Sequence, residues 1–384
     1  PASVETIGIG AFGECTALKN LTFEDGSSKL TLVTGNGDRP FRNAPIETLY
    51  LGRNIDGLYF PDDLASLRKV TVGNDVTEIK SELFVNSTDL QEVHISDLVA
   101  WCGIDFEDSD CNPLSMAHKL YVDGSLLTGL AIPSSISVVK PYTFYGGECF
   151  TSLSLHDGIT DMGEYAFYGC SGLTSVDLPA GVATLNSYVF AGCSGLASVT
   201  IPANIKKINS SAFADCTGIK QVVFEDSQEE LLIIDGIYNY PLFYKSAIEK
   251  MYIGRNISGT TNSYMSVDYR LSSLTVGSMV TKIDKIFTRS SLGNPDAHTP
   301  FLDELIIEDS DMPLPIAQGV WYSWGTVDGT SLYLGRNVEY EYKSAPFGVL
   351  LGSVELGEKV TEITPYMFSG CDRLESVIIN GTVD

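Results

Sequence analysis

A chain of 384 residues with 44% hydrophobic and 19% charged residues has the makeup of a folded protein. Its 49 acidic residues against 24 basic ones leave a net charge of −25, which argues against nucleic acid, whose phosphates need a basic surface, and against anionic membrane surfaces. No apolar run approaches the ~18 residues that span a bilayer, so this segment is not expected to insert directly into a membrane, and the charge reads as a device for solubility.

The first strand pattern is Leu18-x-x-Leu21-x-Phe23, closed by the turn formers Glu24-Asp25-Gly26-Ser27. Strands follow at Ile46-x-x-Leu49-x-Leu51, at Leu67, Val70 and Val72, and at Leu90, Val93 and Ile95. Residues 96–133 form an irregular coil. Within it Asp123-Gly124 separates two apolar runs and predicts a hairpin over 120–127, because both turn residues must take positive φ. From 132 to 224 one order returns every 23 residues: Phe167, Cys170, Leu173, Val176, Leu178; then Phe190, Cys193, Leu196, Val199, Ile201; then Phe213, Cys216, Ile219, Val222, Phe224. A fixed period of this size marks a solenoid, in which each coil hides its apolar face only against its neighbours.

The coils enlarge over 226–350, with an insertion at Thr288–Pro300, and a longer cassette emerges. Phe23-Glu24-Asp25, Leu49-Tyr50-Leu51-Gly52-Arg53-Asn54 and Val76-Thr77-Glu78-Ile79 recur as Phe224-Glu225-Asp226, Met251-Tyr252-Ile253-Gly254-Arg255-Asn256 and Val280-Thr281-Lys282-Ile283. The third copy is Ile307-Glu308-Asp309, Leu332-Tyr333-Leu334-Gly335-Arg336-Asn337 and Val360-Thr361-Glu362-Ile363. Such recurrence implies duplication of a block of coils. Residues 1–384 read as a single continuous solenoid of about fifteen coils, roughly 70 Å long at ~4.8 Å per coil. Solenoids normally carry polar caps. Neither end offers an obvious one and no leader precedes Pro1, so the chain is expected to be a piece of a longer one, with its export signal and anchor elsewhere.

Cys15, Cys170, Cys193, Cys216 and Cys371 occupy one repeat position and read as a structural ladder of small buried thiols that bond weakly to the turn backbone. Cys102 and Cys111 stand outside it, and a disulfide between them is open. No C-x-x-C pair suggests zinc. The Glu-Asp pairs at 24–25, 107–108, 225–226 and 308–309 are possible calcium ligands, but calcium needs six or more oxygens from a shaped loop. Neither a metal nor a cofactor is expected. The four histidines stand alone, and no H-E-x-x-H, G-x-S-x-G or P-loop is present. Gly169-Cys170-Ser171-Gly172 looks like a nucleophile turn, yet its near-copy at 192–195 makes it a repeat turn. No catalytic residue is expected.

The motif Ile-Gly-x-x-Ala-Phe-x-x-Cys-x-x-Leu-x-x-Val-x-Ile-Pro, clearest at Leu173–Pro202, Ile208–Phe224 and Ile363–Ile379, resembles the leucine-rich repeats of BspA-like surface proteins. Trp101-Cys102-Gly103-Ile104 with Leu120-Tyr121-Val122-Asp123-Gly124 resembles the longer variant of that family. The resemblance implies a leucine-rich repeat solenoid: a β-rich right-handed superhelix with a parallel concave sheet, and short helical turns or irregular segments on its convex side. It also implies secretion or surface anchoring in gut and oral bacteria, adhesion to host or bacterial partners, and no catalytic residue.

In Leu-x-x-Leu-x-Leu the residue between the last two apolar positions points away from the core. That column runs through Thr22, Tyr50, Thr71, His94, Tyr121, Ala131, Ser154, Asp177, Thr200, Val223, Tyr252, Thr275, Ile306, Tyr333, Glu355 and Ile378. Its tyrosines Tyr50, Tyr121, Tyr252 and Tyr333, with His94, are candidate partner-binding residues, since tyrosine gives contact area at low entropic cost. Simple strand propensity explains them equally. The aromatic-rich stretch with Trp321 and Trp324 is a second candidate, set against packing of the enlarged coils. Arg53, Arg255 and Arg336 read as turn residues that pair locally, or that grip carboxylates. The expected function is non-enzymatic recognition of, or adhesion to, a protein or glycan partner by an exported monomer; the competing reading is a spacer or stalk that presents another domain.

Overall fold

Alternating apolar residues followed by turn formers put a short strand in most coils, and successive strands pair side by side. The computed structural model describes residues 1–35, 38–56, 64–80, 83–234, 241–259, 271–283, 301–316, 325–340, 347 and 351–380. They form two units. One comprises Pro1–Pro179 and Val189–Cys193, the other Ala180–Tyr188 and Ser194–Asp384. The insertion Thr288–Pro300 and the residues Trp321 and Trp324 fall outside the described residues.

In the first unit, strands Asn20–Phe23, Thr48–Leu51, Lys69–Val72, Glu92–Ile95 and Leu120–Val122 pair in parallel. Their inward residues Leu49, Leu51, Val70, Val72, Val93, Ile95 and Leu120 are buried. The sixth strand, Ser125–Leu126, is antiparallel to Leu120–Val122. The turn between them puts Asp123 at φ 47° and Gly124 at φ 78°, the two left-handed residues that a tight hairpin turn needs. The predicted hairpin is therefore present. Two-to-three-residue strands line the opposite side of the coils, for example Leu30–Leu32 between Thr6–Ile7 and Ile55–Asp56.

The irregular coil holds a short helix, Leu98–Cys102, capped where the Asp97 carboxylate accepts from the Val99 N–H at 2.8 Å. Trp101 is buried and its Nε1–H donates to the Thr143 carbonyl at 3.0 Å. Cys102 and Cys111 are buried thiols, not a disulfide. Burial, then the charge of Asp97, pushes the Cys102 thiol up to about 12. In the coils that follow, Phe144, Phe167 and Phe190 are fully buried. They stack in sequence with ring centroids 5.6 and 5.3 Å apart and planes within 10°. Gly129–Ala131 pairs with Ser152–Ser154 at the 23-residue spacing. Residues 174–178 take no strand. Leu173 and Val176 are still buried there, but Asp177 stands where the next coil has Thr200, and aspartate is disfavoured in strands.

In the second unit, eight parallel strands run from Ser198–Ile201 through Gln221–Phe224, Lys250–Ile253, Ser273–Val276, Phe301–Ile307, Gly325–Leu334 and Leu351–Leu356 to Ser376–Ile379. Register shifts between Leu302 and Glu304 and between Thr330 and Ser331 absorb the enlarged coils. A four-stranded parallel sheet from Thr184–Leu185 to Ile257–Gly259 lines the other side. The architecture is a parallel-strand β-solenoid with almost no helix.

Candidate functional site

The outward positions of each sheet fall into rows. In the first unit Thr22, Tyr50, Thr71, His94 and Tyr121 are consecutive partners on neighbouring strands. Tyr50, His94 and Tyr121 are each half-buried. His94 and Tyr121 stack with centroids 4.6 Å apart and planes at 4°. His94 Nε2 lies 2.9 Å from Glu92 Oε2. In the second unit Tyr252 and Tyr333 share a row but are separated by Thr275 and Ile306, so they stand about 14 Å apart at the usual strand spacing. Of the sequence candidates among the described residues, the fold brings only His94 and Tyr121 into direct contact.

The other three tyrosines belong to a fastening. Tyr50 Oη donates to Asp25 at 2.8 Å, Tyr252 Oη to Asp226 at 2.7 Å, and Tyr333 Oη to Asp309 at 3.0 Å. Burial first, then the Asp25 hydrogen bond and the charges of Asp25 and Asp75, pushes the Tyr50 phenol up to about 12. Burial, then the carboxylates of Asp226 and Glu308, raises Tyr252, and burial, then that of Asp309, raises Tyr333. The Glu-Asp pairs thus hold phenols in three places. Among the described residues no group of three or more His, Cys, Asp or Glu side chains is placed to bind a metal ion. The glycines of each cassette make the close approach possible. A Cβ on Gly254 would sit 2.6 Å from the Asp226 nitrogen and the Phe224 carbonyl oxygen, and one on Gly277 2.6 Å from Tyr252 Oη.

The cassette arginines neither pair locally nor grip carboxylates. Arg255 and Arg336 are 1% and 0% exposed. Arg255 donates to the carbonyls of Ile201, Pro202, Ala203 and Ile205 at 2.7–3.2 Å, 50–54 residues back. Arg336 donates to Gly277, Ser278 and Val280 at 2.7–3.2 Å. Arg53 reaches the carbonyls of Pro1 and Ala2. Each guanidinium therefore closes a turn two coils earlier, and burial depresses the pKa of Arg255 and Arg336. The asparagine beside it ties the following coil. Asn54, Asn256 and Asn337 accept from the backbone N–H of Thr77, Thr281 and Thr361 at 2.8–2.9 Å.

The cysteines are placed by the same coil geometry. Cys170 Sγ donates to the Phe144 carbonyl at 3.3 Å and Cys193 Sγ to the Phe167 carbonyl at 3.2 Å. Cys216 is buried too, whereas Cys15 is exposed and Cys371 half-exposed.

The profile of the BspA type leucine rich repeat region matches residues 1–103, 117–232 and 330–384, in six copies. The chain belongs to the BspA-type leucine-rich repeat family. Among solved structures, this BspA-type chain is similar to a leucine-rich repeat protein from Bacteroides ovatus ATCC 8483 (17% identity, 95% of this chain and 92% of that one, TM-score 0.42). It is also similar to a leucine rich cell surface protein from Faecalibacterium prausnitzii A2-165 (17% identity, 95% and 88%, TM-score 0.31). The pneumococcal vaccine antigen PcpA matches at 12% identity over 86% and 91%, with a TM-score of 0.30. No curated protein sequence matches the chain.

Sequence reasoning missed a cluster on the turn side of the first unit, made by Tyr142, Tyr145, Tyr165 and Tyr168. The available signal was a Tyr-x-x-Tyr pattern repeated 23 residues later.

Proposed function

We propose that this BspA-type solenoid is an exported, surface-displayed recognition protein. It binds a protein or glycan through the outward face of its six-stranded sheet, with His94 and Tyr121 at the centre of the contact. The stacked, half-buried pair supports this reading most strongly. An outward strand position needs only a residue that suits a strand, and threonine serves at Thr22 and Thr71. Two coplanar rings beside Glu92 add a rigid amphipathic surface that the core does not require. Tyr50, whose hydroxyl is committed to Asp25, contributes ring area at the margin. The test is capture of matrix proteins and glycans on arrays by wild type and by the double variant His94→Ala/Tyr121→Ala. The reading requires at least about a tenfold loss, in line with removal of an interface anchor. Equal capture by a folded double variant removes the sheet face from the function.

A further inference from the structure

A second surface lies apart from the sheet rows. Tyr142 stacks on Tyr165 with centroids 5.2 Å apart and planes at 7°, and Tyr145 stacks on Tyr168 at 4.7 Å and 9°. The two stacks are inclined to each other, Tyr142 to Tyr145 by 47° and Tyr165 to Tyr168 by 51°. All four side chains are half-buried, so each ring still meets solvent. The stacking follows from backbone register. The Tyr142, Phe144 and Gly146 N–H groups donate to the Glu164, Ala166 and Tyr168 carbonyls of the next coil. The buried Asn112 amide holds the Tyr142 carbonyl at 2.7 Å.

We infer that Tyr142, Tyr145, Tyr165 and Tyr168 form a second binding surface whose ligand is an arginine- or lysine-bearing peptide segment. Three observations carry this. First, Tyr142 and Tyr165 sit at φ 60° and 59°, in the left-handed region that small residues reach at less cost. In other coils the same position, two residues before the coil's phenylalanine, is Gly10, Tyr188, Ser211 and Tyr366, all at positive φ. Tyrosine there recurs in several coils, but of these only the coils of Tyr142 and Tyr165 carry a second tyrosine three residues on, which gives two adjoining ring stacks. Second, the surroundings are acidic. The charges of Glu164 and Asp108, after burial, raise the Tyr142 phenol, and that of Asp110 acts on Tyr145. An aromatic surface edged with carboxylates suits a cation, which gains from both ring quadrupole and charge. Third, the chain makes this contact elsewhere. Tyr244 follows Phe243 as Tyr145 follows Phe144, and Lys245 Nζ lies 5.0 Å from the Tyr244 ring centroid and 2.9 Å from Asp215 Oδ1. An ammonium shared between a ring of this column and a carboxylate is thus compatible with the coil.

The test is calorimetric titration of the whole protein with an acetylated Gly-Arg-Gly-Arg-Gly amide and with the same peptide carrying citrulline in place of arginine. The arginine peptide is expected to bind at least about fivefold more tightly, and Tyr145→Ala/Tyr168→Ala to remove that difference. Tyr145→Phe/Tyr168→Phe, which keeps the rings, should retain it. Glu164→Gln should weaken arginine binding about twofold and serves as the readout if the double alanine variant fails to fold. His94→Ala/Tyr121→Ala should leave the titration unchanged, which separates this surface from the sheet face. Equal affinity for the citrulline peptide overturns the inference. Unchanged arginine binding by a folded Tyr145→Ala/Tyr168→Ala variant also overturns it, by assigning the binding to overall negative charge. A glycan-array signal lost in the double variant without arginine discrimination overturns it in favour of a carbohydrate ligand.

Discussion

The coils around Phe144, Phe167 and Phe190 and the cassette coils around Arg255 and Arg336 solve one problem in two ways. The first set repeats at 23 residues, so identical side chains arrive one above another, and stacked rings and thiols fasten coil to coil. The second set varies in length. Gln221 pairs with Lys250 and Ser273 with Glu304, well beyond that spacing. Columns of identical side chains are lost there, and a guanidinium reaches across two coils to turn carbonyls, adding a charged donor to each. The difference teaches that apolar ladders suffice where register is uniform. Where it is not, the solenoid relies on buried polar fastenings that reach over the irregular coil.

The comparison breaks most visibly at the apolar ladder. Phe167→Ala should cost about 3–5 kcal/mol by leaving a cavity between two stacked rings, read as a shift in the denaturant midpoint. Arg255→Met takes a charged donor from four carbonyls, of which Ile201 and Pro202 keep a backbone N–H, so a loss on the order of 3 kcal/mol is expected after partial relaxation. Arg53→Met should cost only about 1 kcal/mol, because its partners Pro1 and Ala2 are exposed and can turn to water. A loss equal to that of Arg255→Met would show that burial of the partner carbonyls does not matter.

Smaller effects sharpen the contrast. The raised phenol of Tyr50 is a stability statement. Its folded form binds the proton more tightly than the unfolded chain does, so its contribution is fully present below the ordinary value of 10. That contribution is lost as pH rises through about 12. Tyr50→Phe should flatten this part of an alkaline unfolding profile. In the ladder, burial raises the Cys170 thiol, so a thiol reagent at neutral pH should label exposed Cys15 quickly and leave Cys170, Cys193 and Cys216 untouched until the coils open. Rapid labelling of Cys193 in the native protein would mean that the ladder is not packed.

Much of the fold was legible because its signals are local. Leu-x-x-Leu-x-Leu gave strands such as Thr48–Leu51, Asp123-Gly124 gave the hairpin, and the 23-residue period gave the stacked phenylalanines. The missing strand at 174–178 hangs on one aspartate against a good apolar pattern. The cassette was visible as recurrence, but its cause was not. The partners of Arg255 are backbone carbonyls, which leave no mark in sequence, and Asp25 looks equally like a metal ligand or a phenol's acceptor until Tyr50 is placed beside it. Candidate site residues suffered the same way. Tyr50, Tyr252 and Tyr333 recur for a fastening, while His94 and Tyr121 meet only through the register of Glu92–Ile95 with Leu120–Val122.

The most direct measurement is equilibrium unfolding of Arg255→Lys beside Arg255→Met. Lysine keeps the charge but places a single ammonium where the guanidinium spreads its N–H groups over four carbonyls. The lysine variant should lose nearly as much stability as the methionine variant. Recovery of the wild-type midpoint by lysine would contradict the claim that a forked donor, rather than a buried positive charge, closes the irregular coils.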